Sequence, residues 1–348
     1  LVQEAHKRGM KIVMDAVFNH TGREFFAFED IMEKGEKSKY LDWYYIEKFP
    51  LKSERGEIPN YKCFGYYGGM PKLNLKNPEV EKFITDVACY WIKECNIDGW
   101  RMDVGDEISH YFWKNFRRAV KAVKKDMLII GEIWHYAGDF LEGDEWDTVM
   151  NYPFYLNLID LLADEKINVS QFIQNLGYLK GRLNKKCYPL MWNLIDSHDT
   201  ARFLHLCNDN KKKQHLAAAF QLLLPGMPMI YYGDEFAMPG ANDPDCRRGM
   251  YWDEEYQDKE MFEWYKQLLK VRKNHACIVE GEPIEIAARD EEETIVLTRK
   301  NGEETLALIF NCSSSARMFN EYAQKYDLLR ENPFDGKIEG LDAAVIVL

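Results

Sequence analysis

From residue 1 to about residue 271, short apolar runs alternate with stretches of helical periodicity. Residues 11–16 form an apolar, β-branched run that carries Asp15 near its end. In 78–95 the apolar residues Val80, Phe83, Ile84, Val87 and Trp91 fall at helical spacing, and Pro78 stands where a helix starts without needing its N–H. Strands are predicted at 99–103, 128–132, 148–151, 190–195 and 229–232. Helices are predicted at 111–125, 212–224 and 256–274. Strands alternating with helices imply a parallel sheet covered by helices. Between His20 and Asn77 the alternation lapses, over too many residues for an ordinary strand–helix loop, so 21–77 is expected to be an inserted subdomain. After about Cys277 the pattern becomes short strands split by charged or glycine-containing turns, at 284–288, 294–298, 305–310 and 343–348. That pattern predicts a small antiparallel β domain over 277–348, behind a catalytic region over 1–276.

The net charge of −12 argues against a nucleic-acid partner, which would demand a basic face. Lys211, Lys212 and Lys213 form one short basic run, read as the solvated start of a helix. No apolar run is long enough to span a membrane. The eight cysteines stand singly, with no CxxC pair to hold zinc, which fits a reducing, cytoplasmic setting.

Three predicted strands end on acids: Gly99-Trp100-Arg101-Met102-Asp103, Ile129-Ile130-Gly131-Glu132, and Asn193-Leu194-Ile195-Asp196-Ser197-His198-Asp199. A fourth segment, Asp15-Ala16-Val17-Phe18-Asn19-His20, closes the first predicted strand with similar polar chemistry. One acid at a strand end is often only a cap for the next helix. Several of them, with Arg and His beside them, point to acid–base chemistry at the C-terminal rim of a barrel. Glycoside hydrolysis needs such a pair of carboxyl groups.

These segments resemble the short sequence regions of the α-amylase family, glycoside hydrolase family 13. Met70-Pro71-Lys72-Leu73-Asn74, Glu132-Ile133-Trp134-His135 and Asp243-Pro244-Asp245-Cys246-Arg247 resemble the versions found in its neopullulanase, cyclomaltodextrinase and maltogenic amylase subfamily. The resemblance implies that Asp103 is the nucleophile, Glu132 the acid and then the base, and Asp199 the third catalytic carboxylate. It implies that Arg101 orients Asp103, that His20 and His198 bind the same sugar, and that Asp243 and Arg247 hold the sugar on the non-reducing side. Trp134, His135 and Glu107 are expected on the leaving-group side; for Trp43, Tyr44, Tyr66 and Tyr67 two readings stand, stacking on sugar rings and packing within the inserted segment, with packing favoured. Asn19 matches a position that holds calcium in many amylases. The subfamily often lacks that ion, so no metal or other cofactor is assigned. One departure stands beside the nucleophile: Val104-Gly105-Asp106 replaces the usual approach to Glu107, adding a negative charge that bears on the balance between hydrolysis and sugar transfer.

The implied fold is α/β, an incomplete (β/α)8 barrel showing its third to eighth strands, with the chain part of a longer one. The implied reaction is retaining cleavage of α-1,4-glucosidic bonds in cyclodextrins, pullulan and short maltooligosaccharides. The full-length form is expected to be a homodimer. Competing expectations are an α-amylase or oligo-α-glucosidase of the same family, and a non-catalytic glucan-binding fragment.

Overall fold

The computed structural model describes residues 1–52 and 58–348. They form two compact units, Leu1–Ile133 with Ala137–Met150, and Trp134–Tyr136 with Asn151–Leu348.

The first unit opens with α1 (Val2–Lys7) and holds four parallel strands: β1 (Val13–Ala16), β2 (Gly99–Met102), β3 (Leu128–Gly131) and β4 (Thr148–Val149), paired in that order. Every residue of β2 is buried, as expected of a parallel strand covered on both faces. Three helices accompany them: α2 (Phe26–Lys34), α3 (Pro78–Cys95) and α4 (His110–Val123). The Asn77 side chain caps α3 by accepting from the Glu79 N–H at 2.9 Å, and Asn96 ends it in the left-handed region. The buried residues Val80, Ile84, Ala88 and Ile92 recur every four positions, which gives α3 its packed stripe.

Within 21–77, α2 is joined mainly by isolated bridges such as His20↔Lys72 and Tyr44↔Leu73. Residues 53–57 of this predicted subdomain lie outside the described residues. Trp43 and Tyr44 are core residues, in line with the favoured packing reading. Trp43 is 6% exposed among the rings of Phe26, Tyr40 and Phe83, and Tyr44 is 3% exposed with its hydroxyl on Thr21 Oγ1 at 2.9 Å. Tyr66 and Tyr67 are exposed.

The second unit begins with two helices absent from the sequence reading, α5 (Tyr152–Leu162) and α6 (Val169–Arg182). A parallel pair follows, β5 (Trp192–Asn193) and β6 (Met227–Pro228). Strand β6 lies earlier than the predicted 229–232, because Trp192↔Met227 and Asn193↔Pro228 set the register and only the Met229 N–H continues the ladder, to Asn193 O. The helices α7 (Phe203–Leu206), α8 (Lys211–Leu223), α9 (Lys259–Asn274) and α10 (Cys277–Glu280) complete the helical part. As the basic run suggested, α8 begins at Lys211, capped by Asn210.

The strands β7 (Glu282–Arg289), β8 (Thr294–Asn301), β9 (Glu304–Asn311), β10 (Arg317–Met318), β11 (Tyr326–Asp327), β12 (Asn332–Pro333), β13 (Lys337–Ile338) and β14 (Asp342–Val347) build the expected antiparallel region. Six pair in the order β12-β11-β14-β9-β8-β7, while β10 pairs with β13. Alternate residues of the central strands enter different cores. Ile295, Leu306, Leu308 and Val345 pack with Phe220 of α8, whereas Val296, Ala307, Ile309 and Ile346 pack with Phe319 and Phe334.

Candidate active site

In the first unit, Asp103 and Glu132 follow directly after β2 and β3. Their backbones still continue the ladder: the Asp103 N–H donates to Ala16 O at 3.1 Å and the Glu132 N–H to Met102 O at 3.0 Å. Rigid strand ends therefore set both positions. Arg101 and Asp103, two residues apart on an extended chain, point to the same side. The Arg101 Nη1 donates to Asp103 Oδ1 at 2.8 Å and to Asp15 Oδ1 at 2.8 Å, and Nη2 lies 2.9 Å from Glu132 Oε2. One guanidinium thus ties carboxyl groups borne by or following three neighbouring strands. Asp15 joins because parallel pairing sets it directly beside Arg101.

Two local features hold Glu132. The preceding Gly131 accepts the Trp146 indole so closely that a Cβ would meet it at 2.2 Å. Val104 sits in the left-handed region at φ 47°, a strained place for a β-branched residue, and its N–H donates to Glu132 Oε2 at 3.0 Å. Burial pushes the Asp103 carboxyl above its ordinary value; Arg101 opposes that shift and the Glu132 charge adds to it. Arg101 is half of the expected arrangement, and the three-acid tie is the part the sequence did not show.

His20 stacks on Phe64, with ring centroids 5.2 Å apart and planes 4° from parallel. Its buried Nδ1 has no hydrogen-bond partner among the described residues. Burial lowers its pKa, opposed by Glu107 and assisted by Lys72, so the imidazole is neutral near pH 7. Glu107 Oε2 accepts from Lys72 Nζ at 2.7 Å and from the Asn19 amide at 3.2 Å, and the same ammonium reaches Asn19 Oδ1 at 2.5 Å. Glu107 is therefore engaged in a cluster with Lys72 and Asn19.

The second unit carries Asp199 on the turn after β5. Arg247 is its main organiser: Nη2 donates to Asp199 Oδ1 at 3.2 Å, Nε to His198 O at 2.8 Å, and Nε lies 2.9 Å from Asp243 Oδ1. His198 Nε2 lies 3.1 Å from Asp199 Oδ2. The resemblance-derived residues Asp199, His198, Asp243 and Arg247 are thus one connected group. Ser197 shapes the turn, since its N–H donates to Thr200 Oγ1 at 2.9 Å and its hydroxyl accepts from the Asp199 N–H at 3.2 Å.

Beside this turn lies a pair without any assigned role in the sequence reading. Asp196 and Asp234 are each 1% exposed and hydrogen-bonded to one another, and Arg202, wholly buried, donates to Asp234 Oδ1 at 3.2 Å. Burial raises both carboxyl groups, and their mutual repulsion raises Asp234 further, so the pair retains a proton where ordinary aspartates have lost theirs. Asp196 Oδ2 also accepts from the Phe203 N–H at 2.8 Å, which closes the far end of the turn. Asp196 lies within a recognised motif, Asn193 to Asp199; Asp234 sits in a Gly-Asp-Glu loop that carried no periodic signal.

Trp134 stacks on Tyr152, with centroids 3.9 Å apart and planes 12° from parallel, and remains 40% exposed. His135 is exposed, with Nδ1 3.2 Å from Tyr136 O. All eight cysteines are free thiols, and among the described residues no helix is long and apolar enough to cross a membrane.

The family model for the α-amylase catalytic domain matches residues 1–257. A cyclomaltodextrinase from Geobacillus thermopakistaniensis (strain MAS1) is 45% identical over 316 residues, covering 91% of this chain and 53% of that protein. Neopullulanase 2 of Thermoactinomyces vulgaris is 48% identical over 283 residues, covering 81% of this chain and 48% of its own length. A solved cyclomaltodextrinase structure superposes with a TM-score of 0.93 at 36% identity, covering 99% of this chain and 61% of that one. The chain spans about half the length of the curated relatives it matches. With its strand-end acids in place and its sequence matched along most of its length, the chain belongs to the α-amylase family.

Proposed function

We propose that this protein is a retaining hydrolase of α-1,4-glucosidic bonds in cyclodextrins, pullulan and short maltooligosaccharides. The observation that carries the reading is the Arg101 guanidinium holding Asp103 and Glu132 together. Fixing Asp103 Oδ1 leaves Oδ2 to attack the anomeric carbon. Glu132 gives its proton to the glycosidic oxygen as the bond breaks, and a glycosyl ester forms on Asp103. Glu132 then takes a proton from water, which attacks the ester and restores the α configuration. Asp199, His198 and His20 hold sugar hydroxyls, and Asp243 and Arg247 bind on the non-reducing side. Trp134 and His135 take the leaving sugar, with Glu107 assigned to that side through the Lys72–Asn19 cluster.

The six parallel strands are assigned as the third to eighth of a (β/α)8 barrel, with 21–77 inserted after the third and 277–348 a separate β domain. Asn19 and Glu107 already share the Lys72 ammonium. A positive charge stands where a divalent cation would go, and the reading assigns no calcium there. Free thiols throughout support a cytoplasmic protein, and the full-length form is assigned as a homodimer.

Proton NMR of fresh products tests the stereochemistry, with the α-anomer expected first and an initial β-anomer opposing the reading. In Glu132→Gln, substrates whose leaving group needs no proton should keep far more activity than maltotriose does. Equal losses on both would remove Glu132 from the acid's role.

A further inference from the structure

Two half-buried arginines of the second unit spend their hydrogen bonds on carbonyl groups alone. Arg272, on α9, donates from Nη1 to Leu222 O at 2.7 Å and Leu224 O at 3.2 Å, and from Nη2 to Gly226 O. Arg299, on β8, donates from Nη2 to Val279 O at 3.2 Å and to Gly281 O. Neither guanidinium has a carboxylate partner among the described residues. Withdrawing such charges from water without a counter-ion costs free energy. Burial accordingly lowers both pKa values, that of Arg272 to about 10 with the Arg299 charge adding to the shift, while Cys277, Tyr188 and Glu282 oppose the shift of Arg299. The Arg299 Nε is buried and donates to no acceptor among the described residues.

Arg299 also lines a cavity of about 110 Å³ between α6 and the β7–β8 hairpin. The register pairs Ile286 with Leu297 and Pro283 with Arg299, so an apolar pair and the cation share one face of the hairpin. Ile173 and Leu176 of α6 and Pro225 close the apolar part. Lys180, exposed in the last turn of α6, is a second cation on the wall. Among the described residues no carboxylate lines this cavity.

An apolar cavity of about 150 Å³ holds a six-carbon ring, so about 110 Å³ suits a body of about four carbons. A carboxylate on such a body supplies the counter-charge that the arginines lack, through a charge-assisted bond from Arg299 Nε. A neutral alcohol of the same size leaves that charge uncompensated. A phosphate dianion brings a larger hydration cost into apolar walls.

We propose that this cavity is a binding site for a small amphipathic carboxylate, with Arg299 and Lys180 holding its anionic end and the apolar walls its carbon chain. The site shares no residue with the hydrolase reading and stands without it. Its occupant bridges α6 to β7 and β8.

The test is ligand-observed NMR on the natural full-length protein, with sodium pentanoate as the probe and pentan-1-ol as the uncharged control. Pentanoate should bind with a Kd on the order of 1 mM, and the alcohol at least about tenfold more weakly. Charge placed at the cavity then separates recognition of an anion from filling of a hole. Ile286 is 54% exposed, so both Ile286→Glu and Ile286→Lys should fold. The glutamate variant should weaken pentanoate about tenfold, and the lysine variant should bind it at least as tightly as the unaltered protein. Lys180→Glu, altered on the exposed surface of α6, should weaken it in the same direction. Absence of pentanoate binding, equal affinity for acid and alcohol, or equal losses in the two Ile286 variants would each overturn the site.

Discussion

Two arginine–carboxyl clusters, built from the same residue types, have opposite characters. Arg101 faces three acids, and the Asp15 side chain is 52% exposed, so water reaches the neighbourhood. Arg202 faces the Asp196–Asp234 pair at 0% and 1% exposure, with its guanidinium lying over the rings of Tyr231 and Tyr232 at 4.5 and 5.0 Å. In the first cluster the excess of acids over cations persists, and the proposed reaction draws its nucleophile and its acid from it. In the second, a retained proton removes that excess, because no solvent is present to support it. The first is suited to reacting and the second to holding the turn that carries Asp199. Charge count alone does not tell them apart, and access to water does.

The largest expected effect separates the clusters by activity. Asp103→Asn should lower kcat by about 10⁴-fold or more, on the order of 5 kcal/mol of transition-state stabilisation, while maltooligosaccharide binding survives. Asp234→Asn should lower kcat by less than about tenfold. If the two losses were similar, steady-state kinetics would erase the distinction.

Arg101→Gln comes next, with kcat expected to fall about 10³-fold. Among the forces on the Asp103 carboxyl, Arg101 is the one that favours ionisation, against burial and Glu132. The nucleophile must be ionised to attack, so removing Arg101 raises its pKa and moves the acidic limb of the kcat/KM profile to higher pH. A limb that stays in place, or moves down, would show that Arg101 does not tune Asp103.

A smaller effect concerns stability. The native Asp196 and Asp234 carboxyls are raised above their unfolded values, so protonation favours the folded state. That contribution is complete below about pH 4, the unfolded aspartate range, and is lost as pH rises through the raised native range. In Asp234→Asn the fall of Tm between pH 5 and pH 8 should become shallower. An unchanged slope would mean that the pair does not share a proton. Smallest of all, dialysis against a chelator should change kcat by less than twofold, because Lys72 already supplies the positive charge at Asn19 and Glu107. A large loss restored by calcium would overturn that assignment.

Much of this was legible in the sequence. The strand-end acids stood out because parallel strands are uniformly apolar until they reach the rim, and α3 matched its prediction from Pro78 to Cys95 because cap, proline and four-residue stripe agree. Helix α5 escaped notice because it is apolar on nearly every side: Tyr152, Phe154, Tyr155, Leu158, Leu161 and Leu162 are all buried, and a fully buried helix has no periodicity. Helix α6 did carry a signal, the Asn168–Gln171 capping box. The ties from Arg101 to Asp15 and Glu132 depend on strand register, which no single strand encodes. The Asp234 partnership joins residues 38 positions apart through burial alone.

The most direct test of the account is mass spectrometry of the full-length protein after reaction with a 2-deoxy-2-fluoro or 5-fluoro α-glucosyl fluoride. Such a reagent slows release of the glycosyl ester enough to trap it. The account predicts one added fluoroglucosyl mass on the peptide containing Asp103, absent in Asp103→Asn. The same label on Glu132, Asp199 or Asp15 would contradict it.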